Sequence, residues 1–108
     1  MTSNQLQQTQ ITKLAEAALN DLEHLIVTLL PDQGAIEVQY DAPSKRHEWH
    51  HHDCDETLII LRGGLHFELT DRTLSCQRGD MIKLPKYTEH ASQAQSEGAV
   101  YLIAQKIT

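Results

Sequence analysis

Histidine is the residue type that stands out in this chain. There are seven among 108 residues, and four of them fall between His47 and His52. Imidazole binds transition metals and transfers protons near neutral pH. In an extended strand, alternate residues share a face, so His50 and His52 point one way and His51 the other. Two imidazoles at that spacing can grip one ion. Glu56 follows with the same parity and can add a carboxylate oxygen. Imidazole and carboxylate together suit divalent iron, manganese, nickel, copper or zinc. A third imidazole would have to come from a distant strand, and His90 is the strongest candidate.

The neighbouring groups read less sharply. His51 faces away from the pair and reads as a surface residue. His47 reads as solvated or at the mouth of a pocket. His24 and His66 have no sequence partner that suggests chemistry. Cys54 shares the parity of His52 and Glu56, yet a free cysteine is more commonly a small buried hydrophobe. Asp53 and Asp55 read as exposed loop carboxylates, with orientation of a ligand imidazole as the alternative. Tyr40, Trp49, Tyr87 and Tyr101 could line the cavity, but aromatics more often simply pack, and no catalytic role is assigned to them.

These residues need elements that hold them in place. Residues 1–10 are polar and Gln-rich, and are expected to be flexible. Apolar residues then recur at Ile11, Leu14, Ala15, Ala18, Leu22, Leu25, Ile26 and Leu29. That spacing predicts a helix beginning near Ile11 within a lead-in of residues 11–34. Asn20-Asp21 is a candidate early stop, after which Ile26-Val27 could begin a strand. Otherwise Pro31 sets the limit. Pro31-Asp32-Gln33-Gly34 reads as a turn. Residues 35–108 then follow a period of two. Ile36, Val38 and Tyr40 predict a strand with an apolar buried face. Asp41 to Glu48 reads as a loop. Leu58 to Leu61 is an apolar run ended by Gly63-Gly64, followed by alternation from Leu65 to Thr70. Short strands are expected at Thr73 to Gln77, Met81 to Leu84 and Ala99 to Ala104, the last after a turn at Ser96-Glu97-Gly98. A helix followed by about seven short strands with frequent turns predicts an all-β sandwich or small barrel.

The motifs carry a resemblance. His50-x-His52, three residues, Glu56, six residues, then Gly63 resembles the first metal-binding motif of the cupin superfamily. Gly79, five residues, Pro85, then His90 five positions later resembles the second. Both occur in order across about residues 35–105. Ser44 stands where the first motif usually opens with glycine, Tyr87 replaces a glycine between Pro85 and His90, and Ala94 replaces an asparagine. The resemblance implies a cupin jelly-roll β-barrel, a double-stranded β-helix, with a short N-terminal helix. It implies one divalent transition metal per chain inside the barrel, held by His50, His52, Glu56 and His90. Neutral histidines and one carboxylate would leave a net positive site that favours anionic or carbonyl oxygen. Such a metal could polarise a carbonyl or lower the pKa of a bound water.

Composition narrows the function classes. The formal net charge is −6, from 15 acidic and 9 basic residues, and Lys45-Arg46 is the one basic pair. That balance opposes nucleic-acid binding. No apolar run approaches a membrane span, and no signal-peptide pattern appears. The expected location is the cytoplasm, with Cys54 and Cys76 as free thiols. Leu58 to Leu61 and Ala99 to Ala104 are apolar on both strand faces. One face should fill the barrel and the other needs cover from the N-terminal helix or a second subunit. The expected partners are a small-molecule ligand and a second copy in a homodimer. Two functions remain open: a metal-dependent oxidoreductase or isomerase acting on a small polar metabolite, or a non-catalytic barrel that binds or senses a small ligand.

Overall fold

In the computed structural model, residues 8–29 and 34–106 are described. Nine elements follow one another. β1 spans Gln10–Lys13, α1 Glu16–Leu19, α2 Leu22–Leu29, β2 Gly34–Asp41 and β3 Arg46–His50. Then come β4 at Glu56–Leu69, β5 at Thr73–Gln77, β6 at Asp80–Leu84 and β7 at His90–Lys106. The seven strands form one antiparallel sheet in the order β1-β6-β4-β7-β2, with β3 on β7 and β5 on β4. The expected all-β class with a short N-terminal helix is what the structure has. Among the described residues, no helix is long and apolar enough to cross a membrane.

Two long strands, β4 and β7, carry the architecture. Each bends midway, so each contributes to both halves of the barrel. Residues 56–60 of β4 pair with 101–105 of β7, and residues 65–69 pair with 90–94. The bends sit where the register shifts, between Ile60 and Arg62 and between Gly63 and Leu65. Gly63 has φ +72° and Gly98 φ +75°, a region that L side chains enter at a cost. The Gly63-Gly64 pair, expected to end a strand, is instead a bulge inside one strand. Its effect on parity is visible in the core. Leu58 and Ile60 face inward before it, whereas Leu65, Phe67 and Leu69 face inward after it. The Ser96-Glu97-Gly98 turn is the matching bulge in β7.

The two faces of the sheet bury separate clusters. Inside the barrel lie Leu58, Ile60, Leu65, Phe67, Cys76, Ile82 and Tyr101. Outside, Ile59 and Leu102 pack with Leu19 of α1 and Leu25 of α2. The cover required by the doubly apolar strands therefore comes from the chain's own N-terminal segment. Arg78 fastens it, through Glu16 of α1 and the Leu61 carbonyl.

The lead-in differs from the helix expected to begin near Ile11, while the candidate stop at Asn20-Asp21 is where α1 ends. Residues 10–13 form β1, which pairs with the edge of β6. The free hydrogen-bonding groups of that edge outweigh the weak local helical preference. Helix then comes in two short pieces. Asn20 closes α1. The Asp21 carboxylate caps the next turn by accepting from the His24 backbone N–H at 3.0 Å. Ile26-Val27 lies in α2, so no strand starts there. The flexibility expected for residues 1–10 falls mostly outside the described residues, as does most of the turn at 31–34. Within 8–10, Thr9 is buried and Gln10 is in β1.

Candidate metal centre

Three imidazoles converge inside the barrel. His50, His52 and His90 each offer a ring nitrogen within 4.8 Å of the others. The ring centroids of His50 and His90 are 4.3 Å apart, and those of His50 and His52 4.8 Å. His90 opens β7 and pairs directly with His50 at the end of β3. The long-range partner expected for the His50–His52 pair is thus a cross-strand neighbour.

Strand parity is not what joins His50 to His52. The strand ends at His50, and residues 51–55 run through a bend. The backbone of this bend is clasped to the His90 loop, because the Tyr87 N–H donates to the His52 carbonyl at 2.7 Å. The Lys86 N–H donates to the Asp55 carboxylate at 2.9 Å. Asp55 is therefore a loop anchor. His51 points outward, half exposed, and pairs with Glu89.

Two of the three rings have their protonation set by backbone. His90 Nδ1 lies 2.8 Å from the Thr88 carbonyl, and His50 Nδ1 2.5 Å from the Glu48 carbonyl. A carbonyl only accepts, so Nδ1 carries a proton in each ring and Nε2 is the nitrogen left to face a metal. His90 also stacks on Phe67, with centroids 5.4 Å apart at 15°. Burial pushes the His90 pKa down to about 4, helped by His50 and His52 and partly opposed by the Thr88 carbonyl. It is therefore neutral, the state a metal requires. Three imidazoles with ring nitrogens this close together are a donor set that fits a divalent metal.

Glu56 stands beside this trio. One carboxylate oxygen lies 3.6 Å from His52 Nε2, and the other accepts from Gln105 Nε2 at 3.0 Å. Glu56 is buried. A cavity of about 590 Å³ opens on its other side, against Gln105, Pro85, Lys83 and the end of α2. Cys54 is half-buried and outside the imidazole group, and its thiol is pushed up by burial and by Glu56. Cys76 is a free thiol in the barrel core, raised to about 12 by burial.

A second polar cluster was not legible in the sequence. Asp41, assigned to a loop, closes β2 with its carboxylate 1% exposed. It accepts from Tyr101 O–H at 2.7 Å and Gln39 Nε2 at 2.9 Å, and its Oδ1 lies 2.9 Å from His47 Nε2. Burial pushes the Asp41 carboxyl up, but these hydrogen bonds together outweigh it and hold it below the usual range. Burial and Asp41 raise the Tyr101 phenol, which stays protonated. The expected apolar face of β2 is correspondingly reversed in part. Val38 and Tyr40 are exposed at 72% and 60%, while Gln39 and Asp41 serve the polar interior. Trp49 and Tyr87 are also exposed, so Tyr101 alone of the aromatics weighed for the cavity has an inward role.

Known proteins agree with this architecture. The family model described as "Cupin domain" (Cupin_2) matches residues 36–105. No curated protein is matched. Among solved structures, a double-stranded beta-helix protein from Klebsiella pneumoniae is 13% identical with a TM-score of 0.62, covering 70% of this chain and 65% of that one. A structure of DMSP lyases is 22% identical with a TM-score of 0.65, covering 71% of this chain and 40% of that one. A cupin-2 domain protein from Shewanella frigidimarina is 20% identical with a TM-score of 0.57, covering 84% and 98%. The chain thus spans less than two thirds of the first two. Identities this low carry the fold alone. With the barrel, both motifs and the family match in agreement, this chain belongs to the cupin domain family.

Proposed function

We propose that this cupin binds one divalent transition metal through His50, His52 and His90, with Glu56 as fourth ligand, and acts as an oxidoreductase or isomerase on a small polar metabolite. The observation that carries the reading is the convergence of three imidazoles inside the barrel. Two of them have Nδ1 engaged by backbone carbonyls, which leaves Nε2 for an ion. Apolar packing does not call for three histidines at one point, and the buried His90 ring in particular is costly there without a polar partner. When bound, the metal would act as a Lewis acid toward a carbonyl or a water. The chain's part is to hold Nε2 of His50 and His90 in place, and to steady Glu56 through Gln105.

The test is metal content by elemental mass spectrometry on untagged protein, beside a His50→Ala/His90→Ala double variant. The expected result is stoichiometric metal in the parent and its loss in the variant. A parent without metal, even after reloading with iron, manganese, nickel and zinc in turn, would overturn the reading. The metal found first is then assayed against sugars, keto acids and thiols. Turnover supports the enzyme. Binding without turnover across that panel supports the sensing barrel instead.

A further inference from the structure

The cavity beside Glu56 is not used by the metal reading, and the strand register shows which face of the sheet it occupies. Thr57 of β4 pairs with Lys83 of β6 and Ala104 of β7, and Lys83 pairs with Gln10 of β1. Thr57, Lys83 and Ala104 stand two places from Ile59, Met81 and Leu102, which pack under the helices. Alternation turns the whole row to that outer face. α2 packs on the same face through Leu25 and brings Thr28 and Leu29 to the cavity. Lys106 stands two places beyond Ala104 on β7 and lines the same space. On the side of the metal centre the lining includes Glu56 and Gln105, joined by their hydrogen bond, and none of His50, His52 and His90 takes part.

The charges in the lining sort by what already engages them. Glu56 accepts from Gln105, and the Asp55 carboxylate accepts from the Lys86 backbone N–H. Among the described residues, Lys13 is the one lysine with an ion-pair partner, so Lys83 and Lys106 bring unpaired ammonium groups to the cavity. Strand geometry puts them two strand spacings across and two residues along, about 12 Å between Cα atoms. Both are exposed, and their long stems are free to converge. Between them on the sheet lie Thr57 and Ala104, a hydroxyl and a methyl group. At about 590 Å³ the space is of the size that holds a small molecule.

We infer that this outer cavity binds a small dicarboxylate: its two carboxylates pair with the Lys83 and Lys106 ammonium groups, and its methylene chain lies over Ala104 against Leu29. The net charge of −6, with Asp55 and Glu56 close by, repels anions, so binding rests on the two lysines and weakens with salt. The inference goes beyond the metal function and stands without it, because none of the three histidines lines the site.

The test is a titration with glutarate, followed by ¹H–¹⁵N NMR on the intact chain stripped of metal, so that no carboxylate binds an ion. Saturable shifts are expected in the backbone amides of Thr57, Lys83, Ala104 and Gln105, with those of His50 and His90 unmoved. The expected Kd is about 1 mM or tighter, an ordinary efficiency for a ligand of so few atoms. Lys83→Gln/Lys106→Gln is expected to weaken binding by about tenfold or more. Lys45→Gln/Lys86→Gln removes the same charge outside the cavity and is expected to keep the affinity to within about twofold. All four lysines are exposed, so both variants fold. Glutaramide, which carries no charge, is expected not to bind. Absence of saturation, shifts centred on the histidines, equal loss in the two lysine pairs, or equal binding of glutaramide overturns the proposal.

Discussion

Ser44 and Tyr87 have φ of 66° and 65°, the left-handed region in which a Cβ is unfavourable. They are the two positions where the cupin motifs would place glycine, so the chain keeps the backbone geometry and bears its strain. Tyr87 sits where its N–H clasps the His52 carbonyl, at the rim of the metal centre. At an ordinary position, glycine is less stable than alanine by about 0.5–1 kcal/mol. At Tyr87 the order should invert, with Tyr87→Gly more stable than Tyr87→Ala by about 0.5–1 kcal/mol in urea unfolding. The reverse order would mean that the loop relaxes out of this conformation once the ring is gone. Asp41 allows a pH prediction. Its carboxyl is held below the usual value, so it adds stability above the unfolded pKa of about 4, and that stability is lost as pH falls through the lower folded value. The stability gap between parent and Asp41→Asn should therefore narrow below about pH 4, measured by urea unfolding across pH. The metal trio was legible because residue type and motif spacing both mark it. The Asp41–His47–Tyr101 cluster was not, since a bulge places His47 inward and no local pattern announces a bulge.

Among the elements, β2, β5 and β6 match the sequence reading closely, whereas β1 is read as helix and the first part of β3, Arg46 to Glu48, as loop. Alternation located β2 to within two residues, although its buried face is partly the opposite one, and the flanking turns located β5. β4 and β7 were each read in pieces, since glycine is a common strand terminator and their bulges look like turns in sequence. The cost of removing such a joint is testable. A Cβ on Gly63 would lie 2.0 Å from the Gly98 carbonyl oxygen, backbone that cannot swing aside. Gly63→Ala should cost about 3 kcal/mol or more in equilibrium unfolding, combining overpacking with a strained φ. The helix start near Ile11 is misplaced because Ile11 and Leu14 fit helical spacing, whereas the early stop at Asn20-Asp21 is where α1 ends. Only the exposed edge of β6, a tertiary feature, turns residues 10–13 into a strand.

For the whole molecule, the layers decide which perturbations stay separate. The helices pack on the outer face through Leu19 and Leu25, whereas the imidazoles sit on the inner face. A 108-residue domain has a modest core, so a bound ion should matter to its stability. Binding only to the folded state stabilises by about 2.7 kcal/mol at a hundredfold excess over Kd. For a domain of this size that raises Tm by about 10 °C. Thermal scans with increasing zinc should show this rise in the parent and none in the His50→Ala/His90→Ala variant. Leu25→Ala should behave differently. Emptying that buried site costs about 2–5 kcal/mol and lowers Tm without metal. Yet the zinc-dependent increment should match the parent's, because sites on opposite faces that share no partner add. An increment that shrinks in Leu25→Ala would mean that the helical layer shapes the metal centre through the sheet, and that cover and site form one cooperative unit.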